Sequence, residues 1–249
     1  MYLSRLILNP RNRLVQSDLA NCQGLHRTIL RAFPEKDCVT ESNNPDARAQ
    51  FGVLYRVETD NHTGKVVVLV QSQMLPNWQV LPDGYLLENT TLTNPSCKPI
   101  ANLYQQLKLG TKLVFRLRAN PTRKLTPGKI TLEPITDAQK RNGKRVELYK
   151  EPDQIDWLKR KATQSGFRLL SLKLASDLDN LQVQPVAKEM GWRKTSDNST
   201  KQLTFGAVLF QGELEITSLE LFQQTLVNGI GSGKSYGFGL LSIAANTVS

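Results

Sequence analysis

The order of strand-like and helix-like segments constrains the fold most, because it recurs in the two halves of the chain. The first half begins with an apolar strand closed by Asn9 and Pro10, followed by a helix that Pro34 ends. Two β-branched runs come next, and the turn-forming residues between them predict a β-hairpin. In chain order these segments are 2–8, Ser17 or Asp18 to Phe33, 51–58 and 65–71. The poorly patterned stretch 76–108 leaves room for a short helix, a short strand and a linker.

The second half shows a similar order of segments. The predicted strands are 112–118, 167–174, two short runs within 203–216 around Gln211-Gly212, and 239–244. One helix is predicted to begin at Pro152 or Asp153, and Ser218 is predicted to cap another that ends at Asn228-Gly229. In that last helix we expect Leu221, Phe222, Thr225 and Leu226 to face the core. The polar segment 177–202 is predicted to be a long loop.

Both halves fit a β-α-β-β-α-β order, which predicts an α+β fold with two tandem ferredoxin-like (RRM-like) βαββαβ domains. We expect an N-terminal domain over 1–100, a linker over 101–110 and a C-terminal domain over 111–249. Ferredoxin-like sheets serve many functions, so the fold alone does not define an activity, although such sheets often bind RNA.

The charge balance indicates the kind of partner. The chain has 32 Lys and Arg against 22 Asp and Glu, a net charge of +10. Such a surface attracts polyanions, of which nucleic acid is the commonest in cytoplasm. A solvated basic surface without a partner is the alternative interpretation.

Cellular location and metal binding are constrained by what the sequence lacks. No run approaches the ~20 apolar residues that cross a bilayer, and the start does not match a signal peptide, so we expect no membrane contact. Cys22, Cys38 and Cys97 show no CxxC spacing, which argues against a disulfide framework or a zinc finger. We therefore expect a cytoplasmic protein without a metal site.

Histidine is scarce, and His26 is the stronger of two candidates for proton transfer. His62 lies in the predicted hairpin turn. His26 lies in the first helix, at the border of an apolar arc formed by Cys22, Leu25, Ile29, Ala32 and Phe33. A border position lets an imidazole be packed and still reach a ligand, and Arg27 and Arg31 would attract a phosphate towards it. A half-buried histidine without a role is the alternative.

Basic residues concentrate in one segment of the second half. Between 116 and 145 there are nine Lys or Arg against Glu133 and Asp137, a net charge of 9 − 2 = +7. Gly128 and Asn142-Gly143 interrupt the segment, which predicts loops or an extended hairpin. Such a projection can contact successive phosphates of a duplex. A solvated loop is the alternative.

The segment 229–239 is rich in glycine and contains Gly233-Lys234-Ser235. It is not a P-loop, because Asn228 stands where that motif needs glycine and because a helix precedes the loop where a strand is required. Its bare backbone N–H groups can approach phosphates closely. A turn that only reverses the chain is the alternative.

Four segments together resemble the CasE family, the CRISPR RNA-processing endoribonucleases of the type I-E Cascade system. These are the opening residues 1–10, the Leu25-His26-Arg27 helix, the segment 115–121 and the closing segment 229–242. The resemblance spans nearly the whole chain. It implies two tandem ferredoxin-like domains, in agreement with the pattern of segments.

The resemblance also implies an activity. The expected reaction is metal-independent, cofactor-free cleavage of precursor CRISPR RNA at the 3′ base of the repeat stem-loop. The 2′-OH attacks the adjacent phosphate and leaves a 2′,3′-cyclic phosphate and a 5′-OH. The protein would stay bound to the guide RNA beside other Cascade subunits and be a monomer when free. A non-catalytic stem-loop-binding subunit is the alternative, and a nucleotide-dependent enzyme is disfavoured by the loop topology.

The resemblance implies roles for individual residues. His26 stands at the family's catalytic histidine position, as general acid for the leaving 5′-oxygen or as general base. Gln23 stands where relatives carry a tyrosine; an amide can orient a phosphate or hydroxyl but cannot shuttle a proton. Arg31 would stabilise charge on the phosphorane. The expected RNA-binding residues are Arg27, Arg116, Arg118, Arg123, Lys124, Lys129, Lys140, Arg141, Lys144, Arg145, Gly231, Gly233, Lys234 and Ser235. Arg116 and Arg118 share a strand face, so either both contact RNA or both are structural.

Overall fold

The N-terminal half folds around a four-stranded antiparallel sheet. The computed structural model describes residues 1–34, 51–60, 63–88, 91–124, 145–170, 181–194 and 199–246. The strands are β1 (Tyr2–Leu8), β2 (Leu54–Thr59), β3 (Val66–Ser72) and β4 (Ser96–Pro99), in the order β2-β3-β1-β4. This order, with the first strand in the interior, is that of a ferredoxin-like sheet, and β1 pairs antiparallel to both neighbours.

Two helices follow β1, so the prediction of one continuous helix up to Phe33 is wrong. They are α1 (Arg13–Ala20) and α2 (Cys22–Leu30). Asn21 separates them because its backbone is extended and its side chain accepts a hydrogen bond from the Gln23 N–H, which caps α2. Asn12 caps α1 in the same way, rather than the predicted Ser17 or Asp18.

The second helix of the ferredoxin-like plan is absent from the described part of this half. A 3₁₀ turn (Trp78–Val80) and irregular chain lie between β3 and β4 instead. Trp78 and Tyr85 from this segment are buried, so they fill the place of a helix against the sheet. The predicted linker over 101–110 contains a short helix, α3 (Ala101–Gln105).

The C-terminal half has a second antiparallel sheet with a complete ferredoxin-like order. Its strands are β5 (Lys112–Ala119), β8 (Phe167–Leu169), β10 (Thr200–Ile216) and β11 (Leu241–Ala245), in the order β11-β5-β10-β8. The helices α4 (Glu151–Gln164) and α5 (Leu219–Asn228) contribute Leu158 and Phe222 to its core. The predicted α+β class with two tandem ferredoxin-like domains is confirmed.

A long hairpin extends this sheet, and two predictions fail there. The strand β9 (Leu181–Lys194) pairs with β10, although 177–202 was expected to be a loop. The segment 203–216 belongs to the single strand β10 instead of two short strands. Most β9 residues are at least partly exposed, so the strand carries polar residues on both faces and lacks a buried-strand pattern.

The described ends of the basic segment pair with each other and form the base of a hairpin. Its base consists of β6 (Thr122–Lys124) and β7 (Arg145–Glu147), which pair antiparallel. The intervening residues 125–144 lie outside the described part of the chain.

In α5, Phe222, Thr225 and Leu226 are buried as predicted, whereas Leu221 is 41% exposed and does not face the core. No helix of the described residues is long and apolar enough to cross a bilayer.

Buried polar side chains join the two halves. The Gln71 amide on β3 donates to the Leu226 carbonyl at 2.6 Å and accepts a bond from the Tyr104 hydroxyl at 2.9 Å. The Arg56 guanidinium on β2 donates to the carbonyls of Arg116 at 3.2 Å and Leu240 at 3.3 Å. Because these partners belong to β5, α5 and the chain before β11, the edge of the first sheet is fixed against the second domain.

We expect Gly166→Ala to lower the free energy of unfolding much more than Gly64→Ala. Both glycines have a positive φ, +75° and +65°, which costs an alanine about 1–2 kcal/mol. A Cβ at Gly166 would also lie 2.8 Å from the Phe222 backbone nitrogen, whereas nothing lies within 4 Å at Gly64. The expected losses are about 2–5 and 1–2 kcal/mol, measured by urea unfolding. Equal losses would contradict this packing.

Candidate functional site

His26 lies where α2 meets the C-terminal domain. Its ring stacks on Tyr55 of β2, with centroids 6.4 Å apart and an interplanar angle of 19°. The Tyr236 ring lies at a centroid distance of 6.4 Å from it, with an interplanar angle of 62°. Leu25 and Ile29 on the same helix are buried while His26 is half-buried, as the predicted border position requires. Aromatic rings from both domains therefore hold the imidazole at the surface.

Tyr55 connects His26 to the glycine-rich loop. Its side chain is fully buried, and its hydroxyl donates to the Ser235 carbonyl at 3.0 Å, with the Cys22 carbonyl at 3.4 Å. Burial raises the pKa of the Tyr55 phenol well above its ordinary value. The phenol therefore stays protonated and acts as a fixed donor between β2, α2 and the loop.

The glycine-rich loop carries Tyr236 to His26. It lies between α5 and β11, so the order helix-loop-strand that excludes a P-loop is confirmed. Within it, Lys234–Tyr236 form a 3₁₀ turn, and Gly237 follows in the left-handed region at φ +82°. A Cβ at Gly237 would lie 3.2 Å from the Tyr55 ring, so glycine permits this close approach as well as the backbone geometry.

The strand β9 covers the start of α2. A Cβ at Gly191 would lie 2.8 Å from the Cys22 sulfur and 3.1 Å from the Asn21 side-chain oxygen. The strand was missed in the sequence because its polar residues resemble a loop. Alternation of Leu181 and Val183 with glutamines is the signal that could have identified it.

Gln23 and Arg27 lie on α2 before and after His26, and Arg31 lies at the C-terminal end of the helix. Arg27 and Arg31 are exposed, and the Arg27 Nε donates to the Gln23 carbonyl at 3.4 Å. The Gln23 side-chain oxygen is buried and has no hydrogen-bond partner among the described residues. Of the predicted catalytic residues, Gln23 and His26 lie one turn apart on α2 and Arg31 lies at its C-terminal end, while Tyr55 and Tyr236 are ring contacts of His26 that no spacing in the sequence indicates.

Arg116 and Arg118 have carboxylate partners in the protein. Arg116 Nη1 lies 3.1 Å from Glu58, and Arg118 is paired with Glu189. The Arg118 guanidinium also lies 4.9 Å from the centre of the Phe238 ring. These contacts give Arg116 a structural role between the domains and Arg118 one within the C-terminal domain, and their contact with RNA stays a prediction.

The remaining predicted RNA-binding residues divide into three groups. Arg123, Lys124, Arg145, Gly231 and Lys234 line one pocket between the hairpin base and the glycine-rich loop. Gly233 and Ser235 lie in the loop, where Ser235 is exposed. Lys129, Lys140, Arg141 and Lys144, like His62 and Cys38, lie outside the described residues.

Comparisons with known proteins agree with this arrangement. A family model described as "CRISPR associated protein" matches residues 1–245. The chain is 34% identical over 244 residues to the CRISPR-associated endoribonuclease Cse3 of Thermus thermophilus, covering 98% of this chain and 100% of that protein. It is 32% identical over 251 residues to the CRISPR system Cascade subunit CasE of Escherichia coli, covering 98% and 99%.

A solved structure has the same fold over the whole chain. The structure of CRISPR endoribonuclease Cse3 bound to a 19 nt RNA matches with a TM-score of 0.72 and 33% identity, covering 98% of this chain and 100% of that one. The agreement extends through both ferredoxin-like domains. The chain therefore belongs to the CasE family of CRISPR-associated proteins.

Proposed function

We propose that this protein is a cytoplasmic endoribonuclease that cuts precursor CRISPR RNA at the 3′ base of the repeat stem-loop. The observation that carries the proposal is His26, held at the domain junction by Tyr55 and Tyr236 and flanked by exposed Arg27. Two relatives of this protein are named an endoribonuclease and a Cascade subunit. We further propose that the protein is a monomer when free and stays bound to its product beside other Cascade subunits.

The proposed chemistry needs no metal and no cofactor, because the RNA supplies the nucleophile. The 2′-oxygen forms a bond to phosphorus and passes its proton to solvent water, while the bond from phosphorus to the 5′-oxygen breaks. His26 donates a proton to that 5′-oxygen, leaving a 2′,3′-cyclic phosphate and a 5′-OH. An imidazole with a pKa of ~6.5 suits this step near neutral pH and typically contributes ~10²–10⁴ in rate.

The neighbours of His26 fit the other requirements of this reaction. Arg27 and Arg31 can approach the phosphate from solvent and stabilise the charge of the phosphorane. The Gln23 side-chain oxygen is buried and has no partner in the described part of the chain, so a change of the side-chain rotamer would let it accept a hydrogen bond from the attacking 2′-OH. This bond would orient the nucleophile and would not remove its proton.

A stem-loop-binding subunit without cleavage is the second candidate function. Gln23 favours it, since an amide cannot replace a phenol in proton transfer. Incubation with the repeat RNA of the same organism in EDTA separates the two functions. We expect one cut with a 2′,3′-cyclic phosphate end. Tight binding without a cut, with or without added divalent cations, would support the binding subunit instead.

We expect Tyr55→Phe to slow cleavage by about tenfold while RNA affinity changes less than twofold. The substitution keeps the ring that stacks on His26 and removes the hydroxyl that binds the Ser235 carbonyl. The loop and the imidazole then lose a fixed mutual position, which affects the reacting geometry more than the charged surface. Single-turnover rates and equilibrium binding measure the two effects.

Tyr104→Phe is the matched control, because its hydroxyl bonds Gln71 at the other domain contact. It should reduce stability without a selective loss of cleavage rate. A Tyr55→Phe protein that cuts at the wild-type rate would remove Tyr55 from the positioning of His26.

A further inference from the structure

A cationic pocket of about 580 Å³ lies beside the glycine-rich loop. The C-terminal half of α4 forms one wall with Arg160 and Lys161, and Lys234 of the loop forms another. The base of the basic hairpin closes the third side. None of the described residues that line the pocket is acidic. The pocket therefore concentrates positive charge from three separate parts of the C-terminal domain.

Within the described part of the chain, Arg160, Lys161 and Lys234 have no carboxylate partner, unlike several other cations of this protein. Arg56, Arg116, Arg118 and Arg168 each pair with a carboxylate. In contrast, Lys161 donates to the neutral Gln164 side chain at 3.1 Å, and no carboxylate among the described residues pairs with Arg160 or Lys234.

Lys161 and Lys234 are close enough to oppose each other's charge. Burial and the neighbouring Lys161 ammonium lower the pKa of Lys234. Converging cations that are partly desolvated are unfavourable by themselves, and an anion in the pocket relieves their repulsion. The geometry of the walls thus favours occupation by a phosphate group.

One turn of the loop contacts both the pocket and His26. Lys234 lines the pocket, and Tyr236, two residues later in the same 3₁₀ turn, contacts the His26 ring. If the reacting phosphate of an RNA strand lies at His26, a second phosphate of the same strand, a few nucleotides away, would therefore lie at the pocket. Trp157 lines the buried side, so the phosphate would lie partly shielded from water.

We propose that Arg160, Lys161 and Lys234 bind one backbone phosphate of the RNA close to the cut. This inference rests on the proposed function and adds α4 to the RNA contacts. Guanidinium and ammonium groups suit a phosphate oxygen, and the contact carries no base information. The site would fix the register of the strand over His26 and would retain the cut product.

The test compares Arg160→Gln/Lys161→Gln with Lys159→Gln on the exposed face of the same helix. Binding to stem-loop RNA with a 2′-deoxy group at the cut is measured over a range of salt. We expect the double variant to bind about tenfold more weakly near physiological salt, with a slope of log K against log salt smaller by about one. Lys159→Gln should bind within about twofold of wild type. Unchanged affinity and slope in the double variant would overturn the proposal.

Removal of charge from the RNA locates the contact. A neutral methylphosphonate replaces each phosphate near the cut in turn. At the position that the pocket binds, wild type should lose affinity while the double variant loses little more, as a double-mutant cycle requires. Equal losses in both proteins at every position would contradict the assigned contact.

Inorganic phosphate distinguishes an RNA phosphate from a free anion. Binding of inorganic phosphate to wild type with unchanged RNA affinity of the double variant would assign the pocket to free phosphate and overturn the RNA contact. The proposed function is tested separately, because cutting is measured with wild type on unmodified RNA, whereas the pocket is tested by binding of RNA that cannot be cut. Absence of cutting by wild type would reject the nuclease, whereas a selective binding defect would still support the pocket.

Discussion

His26→Ala is expected to slow cleavage of the repeat stem-loop by about 10²–10⁴-fold and to leave RNA affinity within about twofold. The imidazole supplies a proton in the transition state. It adds at most one positive charge to the RNA-binding surface, so its loss should change affinity little. Binding depends on the many Lys and Arg residues that give the chain a net charge of +10. Single-turnover kinetics with EDTA and equilibrium binding measure the two quantities. A variant that cuts at the wild-type rate would remove His26 from the mechanism.

The leaving group distinguishes the two possible roles of His26. An RNA with sulfur in place of the bridging 5′-oxygen has a leaving thiolate that needs no proton. If His26 is the general acid, His26→Ala should regain most of its rate on this RNA. If His26 is instead the base that accepts the 2′-OH proton, the thio substrate should restore nothing. Asn21→Ala, which removes the cap of α2, is a control for a displaced helix.

The class of fold and the place of His26 could be predicted from the sequence because both depend on local pattern. The strands β1 and β5 and the β2–β3 hairpin contain β-branched or alternating apolar residues, and this local pattern indicates a strand without reference to distant contacts. The arc of Leu25 and Ile29 likewise sets which side of α2 is buried. Such periodicities survive in any context, so they predicted the elements and the border position of the histidine.

The rest of the site could not be predicted because it forms between domains. Tyr55 and Tyr236 are 181 positions apart and meet at His26 only after the two sheets have packed together. Arg116 and Arg118 resembled a nucleic-acid contact by charge, whereas their carboxylates come from β2 and β9. Charge in a sequence does not reveal whether a partner lies inside the protein. The break at Asn21 was missed because apolar spacing continues across it.

The domain contact is therefore part of the candidate active site. His26 and Tyr55 belong to one domain and Tyr236 to the other, so a change in the angle between domains would change the surroundings of the imidazole. Arg56, which pairs with Glu58, directly follows Tyr55 on β2. Stability of this contact and the geometry of His26 are consequently coupled through β2.

Glu58→Gln is expected to lower the free energy of unfolding by about 2–4 kcal/mol at pH 7. The carboxylate lies 2.8 Å from Arg56 and 3.1 Å from Arg116, and the Arg56 side chain is only 3% exposed. The amide leaves a buried guanidinium without its counter-charge, which is more costly than the loss of a surface ion pair. Glu215→Gln is the matched control, because its partner Arg168 is 64% exposed; it should cost under about 1 kcal/mol.

The same substitution predicts a pH dependence with a definite sign. Burial alone would raise the pKa of Glu58, but the charges and hydrogen bonds of Arg56 and Arg116 outweigh it and lower the pKa below the ordinary 4.5. A carboxyl with a lowered pKa stabilises the folded state above its unfolded pKa, and this stabilisation is lost as the pH falls through the folded value. Urea unfolding should therefore show a constant difference between wild type and Glu58→Gln from pH 7 down to about 5. Below that pH the difference should shrink towards zero, and a difference that grows on acidification would show that burial, and not the two arginines, controls this carboxyl.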